Sequence, residues 1–96
     1  MDNVNKNGSK ALISVLIPTY NTSCFYLYAL LESLTKQEFK DFNVLIVDDH
    51  SDIDYTNVLM QFTGLLNIRY VKSIKNKGMV ANWNYAAKLI DTKFFI

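Results

Sequence analysis

Apolar positions along this chain follow two alternating rhythms. Residues 11–18, ALISVLIP, make a near-continuous apolar run rich in β-branched side chains, as expected of a strand buried on both faces of a parallel sheet. Pro18 is expected to end it, because proline cannot donate to a central ladder. The polar stretch TYNTS follows, where Asn21, Thr22 and Ser23 are all competent helix N-caps. Leu27, Leu30, Leu31 and Leu34 then recur at helical spacing, which predicts a helix with one apolar stripe to about residue 36. Residues 42–48, FNVLIVD, predict a second buried strand, and HSDID a loop with capping residues. A helix is predicted over 53–64, packing Val58, Leu59 and Phe62 and stopping at Gly64. NIRYVKS, 67–73, alternates and predicts a third, less buried strand. After the loop IKNKG, residues 79–91 predict a third helix with Val80, Trp83, Ala87 and Ile90 on one side, and KFFI opens a fourth strand.

Strand and helix therefore alternate through the chain, which predicts an α/β fold with a mostly parallel sheet and flanking helices. Residues 1–11 read as a polar tail and 12–96 as one domain, with no internal repeat. The final run is expected to be the start of a core strand, so the chain is expected to be part of a larger domain. In such sheets ligands sit outside the carboxyl ends of the strands. Three polar clusters fall there: Pro18 to Asn21, Asp48 to Ser51, and Asn76 to Asn84. The alternation places all three on one edge.

Composition narrows the classes. Half of the residues are hydrophobic and the net charge is only +1, which suits a folded chain and gives no reason to expect nucleic acid as a partner. A lone cysteine, Cys24, excludes an internal disulfide. The N-terminus lacks the apolar core of a secretory signal, and no apolar run nears the roughly 20 residues needed to span a bilayer. A cytoplasmic protein is the expectation, with peripheral membrane attachment through other regions left open.

Asp48 and Asp49 close the second strand. Successive side chains on a strand point to opposite faces, so one carboxylate is expected to face the crevice and the other to bond local backbone N–H groups. Turn-and-cap roles for both are the plainer reading. A calcium loop starting at Asp48 would need glycine at Ile53 and glutamate at Leu59. A dinucleotide site would need a glycine-rich turn where the sequence has PTYNTS. A phospho-accepting receiver domain resembles VLIVDDH, but there the acidic pair closes the first strand and a further Asp closes the third. Here Ser73, Ile74 and Lys75 follow the third strand. A nucleotidyltransferase should carry a glycine- and basic-rich loop after its first strand, which PTYNTS is not.

Four segments in order, VLIPTYN, SLTKQEF, VLIVDDHSD and NKGMVANWN, resemble the start of a family 2 glycosyltransferase with a GT-A fold, from about Ser14 to Ile96. The resemblance implies a Rossmann-like half-domain that binds a nucleotide-diphosphate sugar, with a UDP sugar as the expectation, for transfer to an acceptor hydroxyl in glycan or cell-surface polysaccharide synthesis. It implies that Pro18, Thr19 and Tyr20 line the base and ribose pocket, that Asp49 accepts from the base or its sugar, and that Asp48 holds the loop. Gly78 would let backbone approach the nucleotide sugar, with Asn76 and Asn84 shaping that side. Two positions depart from the pattern. His50 stands where glycine is usual, and Trp83 where many members carry arginine. The family also uses an Asp-x-Asp motif past the fourth strand to hold a divalent metal, magnesium or manganese, and a later carboxylate as base. Both are expected to lie outside this chain, so no catalytic residue is assigned. Cys24 and Tyr85 are expected in the core, Trp83 likewise, His50 as a loop residue, and Lys72, Lys75 and Lys77 as a solvated run.

Overall fold

A computed structural model describes residues 12–90, residue 92 and the backbone of 94–95. The tail expected over 1–11 lies outside the described residues. Seven elements alternate as expected: β1 (Ile13–Thr19), α1 (Cys24–Thr35), β2 (Phe42–Asp48), α2 (Thr56–Met60), β3 (Ile68–Lys72), α3 (Met79–Lys88) and β4 (Phe94–Phe95). The strands form one parallel sheet in the order β3-β2-β1-β4.

β2 is buried at every position, which is why it reads as an unbroken apolar run. The pleat sends its side chains to two separate cores. Val44 and Ile46 pack with Ile17 against Leu27 and Leu31 of α1 and Val58 of α2. Leu45 and Val47 pack with Leu16 against Ala86 of α3. Truncating Leu31, which is fully buried, would cost about 2–5 kcal/mol, because a core this enclosed cannot close over the void.

The chain thus winds outward from β1 to β3 with helices on one face. It then returns over the other face to place β4 on the far side of β1. The direction of winding reverses at the β1–β4 junction, the position where parallel sheets open a crevice at their carboxyl ends.

Three elements differ from the sequence expectation. β1 runs one residue past Pro18, pairing it opposite Val47. The Thr19 carbonyl accepts from Asp49 N–H at 2.8 Å, so Thr19 directs its peptide groups toward β2 and Pro18 directs its own toward β4. β4 pairs only with Ile13 and Ser14, and the missing N–H of Pro18 therefore breaks no bond of the described ladder. α2 is shorter than the predicted 53–64. Asp54 Oδ1 accepts from Thr56 N–H at 2.9 Å and fixes its start, and the chain beyond Met60 tightens into turns that still bury Phe62 and Leu66.

The third correction concerns α3. Its buried residues are Asn82 and Ala86, whereas Val80, Trp83 and Ala87 of the predicted stripe are exposed. Only Ile90, just past the helix, packs against the core as expected. Among the described residues no helix is long and apolar enough to cross a membrane.

Candidate functional site

The carboxyl ends of β1 and β2 and the start of α3 enclose a cavity of about 540 Å³. Pro18, Thr19 and Tyr20 form the β1 side. Asp49, Asn76 and Gly78 form the second side, and Met79, Asn82 and Trp83 of α3 the third. Six of the eight residues assigned from sequence meet here. Tyr20, Asp49 and Gly78, from three separate loops, share the one cavity.

Asp49 organises it. Its Oδ1 accepts from Lys77 N–H at 2.7 Å and its Oδ2 from Gly78 N–H at 2.9 Å. Gly78 is the N-cap of α3 and has no side chain to bond the free N–H groups of a helix start. A carboxylate from another strand does that work at the loop leading into the helix, where negative charge is also favoured by the helix dipole. Gly78 itself sits at φ 87°, ψ 162°, a region essentially restricted to glycine. A Cβ there would meet no atom within 4 Å, so the requirement for glycine at this point is conformational. The Asn76 side chain donates to the Asp49 carbonyl at 3.3 Å and ties the same loop down.

Asp48 lies behind the cavity. It is fully buried, and its carboxylate accepts from Ser51 N–H, Ser51 Oγ and the Tyr70 hydroxyl. Burial, then the hydrogen bond to Asp48 and its charge, hold the Tyr70 phenol well above the ordinary tyrosine range. The division expected of the pair therefore holds: one carboxylate faces the crevice and the other fastens its own loop. Asn21 closes the arrangement from the β1 side. Its N–H donates to Ser51 Oγ at 2.7 Å, and its Oδ1 accepts from Asp52 N–H at 2.8 Å. Asn21 does so at φ 51°, a conformation asparagine tolerates better than most residues.

His50 occupies the same left-handed region, at φ 63°. This is the position where the resemblance sets a glycine as usual, and the backbone explains why. The histidine is held there by Nδ1–H donating to the Ser73 carbonyl at 3.0 Å.

Two residues expected at the site are not on its wall. Asp48 is enclosed behind it, as described. Asn84 is exposed on α3 and does not line the cavity. Its neighbour Asn82 does: it is only 3% exposed, and its Nδ2 donates to the Val47 carbonyl at 3.0 Å. Asn82 is polar and so falls outside the apolar stripe expected of α3. The available signal was an asparagine in a helix interior, which is unfavourable unless a tertiary partner takes its amide. Trp83, expected in the core, is 42% exposed and stands on the cavity wall. Lys77 is not a bare solvated cation, since its Nζ lies 3.7 Å from the centre of the Tyr85 ring.

No group of three or more His, Cys, Asp or Glu side chains placed to hold a metal occurs among the described residues. The oxygens of Asp48 and Asp49 are engaged by Ser51, Tyr70, Lys77 and Gly78, so this acidic pair is not arranged as a metal site.

The receiver-domain reading fails on this geometry. The acidic pair closes β2, and β3 ends in Lys72 with no carboxylate after it. The family model for glycosyl transferase family 2 matches residues 14–96. The chain belongs to glycosyl transferase family 2. Among curated family relatives it is 30% identical to chondroitin synthase of Escherichia coli over 87 residues, covering 80% of this chain and 13% of that protein. It is 36% identical over 67 residues to the Staphylococcus aureus poly(ribitol-phosphate) β-N-acetylglucosaminyltransferase TarS, covering 68% of this chain and 12% of that one. The crystal structure of S. aureus TarS in complex with UDP-GlcNAc superposes with a TM-score of 0.78 at 32% identity, covering 88% of this chain and 25% of that chain. A mannosyltransferase from Pyrobaculum calidifontis, solved with GDP-Man and Mn2+, shares the fold with a TM-score of 0.68 at 19% identity, over 83% of this chain and 24% of that chain. The family 2 fold seen here therefore spans a small part of the length of its relatives, in the GT-A, Rossmann-like arrangement.

Proposed function

We propose that this chain forms the nucleotide-binding part of a glycosyltransferase that takes a UDP sugar and transfers the sugar to an acceptor hydroxyl of a glycan or cell-surface polysaccharide. The observation that carries the reading is the convergence of Tyr20, Asp49 and Gly78 on one cavity at the switch point of the sheet. The likeness to TarS bound to UDP-GlcNAc supports UDP as the carrier. In this reading Pro18, Thr19 and Tyr20 receive the base and ribose. Asp49 and Asn76 fix the loop that delivers Gly78 to the ligand, and Asp48 keeps the β2 loop in shape. The divalent cation and the base that deprotonates the acceptor belong to other parts of the enzyme. A bound metal would supply charge neutralisation on the departing nucleoside diphosphate.

Calorimetric titration of UDP into the 96-residue chain tests the reading. Saturable binding that weakens in Asp49→Ala is the expected result. Absence of any binding heat, or equal affinity in the two proteins, would remove the cavity or Asp49 from the site.

A further inference from the structure

We propose that Trp83 is a binding residue that stacks on the nucleobase, so that α3 supplies an aromatic wall to the cavity. The inference rests on the reading of that cavity as a sugar-nucleotide site.

Successive helical residues are turned by about 100°. Asn82 and Ala86 point into the sheet, so Trp83 is carried off the core face and onto the cavity wall. It remains 42% exposed there, a large apolar ring with surface left to cover. Across the cavity Tyr20 is 56% exposed, and Pro18 and Met79 complete the apolar lining. Among the described residues no lysine or arginine lines the cavity. Lys77, the nearest in sequence, has its ammonium over the Tyr85 ring. Among the described residues, the one charged side chain on the wall is the carboxylate of Asp49. An anionic diphosphate is repelled from such a surface, whereas a neutral, flat ring with N–H donors suits it. The diphosphate is therefore directed to the mouth and the base to the interior. By the resemblance drawn from the sequence, Trp83 stands where many family members carry arginine. The change trades a cation for an uncharged π-surface, and with it a charge contact for a stacking contact.

Trp83 is the only tryptophan in the chain, so its emission reports on the cavity directly. Uridine, UDP and N-acetylglucosamine 1-phosphate are titrated against the full 96-residue chain by tryptophan fluorescence and calorimetry in parallel. The expected result is that uridine and UDP alter the emission at the concentrations where calorimetry shows binding, while the sugar phosphate does not. By calorimetry, Trp83→Ala should weaken uridine binding about tenfold and Trp83→Phe by much less, because phenylalanine keeps a ring for the base to stack on. The emission change in the unaltered chain and the Trp83→Phe affinity decide the matter should Trp83→Ala lose its circular dichroism spectrum. UDP binding with unchanged emission, and unchanged affinity in a folded Trp83→Ala, would overturn the stacking role and leave the site itself standing. A response to the sugar phosphate but not to uridine would overturn it too. No binding of any nucleotide would overturn both the stacking role and the site.

Discussion

The Asp49 carboxylate accepts the Gly78 N–H at 2.9 Å, so the end of β2 holds the beginning of α3. Residues 29 apart in sequence are joined on the wall of the cavity. The bond makes Asp49 a positioning residue whether or not it also touches the nucleotide. Asp49→Ala should lower stability by about 1–3 kcal/mol in urea unfolding, the loss expected for two backbone N–H bonds to a carboxylate. Asp49→Asn, left with one carbonyl acceptor, should fall between the two.

Gly78→Ala should cost about 1–3 kcal/mol, through backbone strain alone. The space around the added methyl is open, so no clash contributes. Hydrogen exchange would show the loss as local opening of 76–80, and UDP affinity should fall with it.

His50 carries a conformational penalty that glycine would not. His50→Gly should relieve the strain at φ 63° while losing the bond to the Ser73 carbonyl, leaving stability within about 1 kcal/mol of the parent. His50→Val, β-branched and without that bond, should destabilise by more than either loss alone, measured by thermal unfolding.

Tyr70 makes stability depend on alkaline pH. Its phenol is held protonated in the fold by burial first, then by its bond to Asp48 and the charge of Asp48. Tyr55 is raised in the same direction, mainly by burial. A folded-state pKa above the unfolded value of 10.0 means the unfolded chain releases its proton first as pH rises. The contribution is complete below pH 10 and is lost progressively above it. Urea unfolding from pH 8 to 12 should show a steeper alkaline loss in the parent than in Tyr70→Phe. Tyr70→Phe should also be less stable near neutral pH, since it removes one partner of the enclosed Asp48.

How much of this was legible depended on what each residue was paired with. Phe42–Asp48 was readable to the residue because both faces of β2 meet apolar cores. Tyr20, Asp49 and Gly78 were readable because the order of their segments fixed which edge they share. The face of α3 was not readable. Val80 is apolar and exposed, Asn82 is polar and enclosed, and Trp83 belongs to a cavity wall. Hydropathy cannot register that an asparagine turns inward for the Val47 carbonyl. The length of α2 escaped for a related reason. Asp54 and the turns after Met60 set it, and Phe62 stays enclosed without being helical.

Pro18 has an effect on the β4 flank of the sheet. With no hydrogen to offer on the side facing β4, it denies any adjoining strand a rung at the top of β1. A neighbour paired with Ile13 and Ser14 finds one donor fewer at that height. One imino acid thus loosens the seam at the very edge of the cavity that it lines.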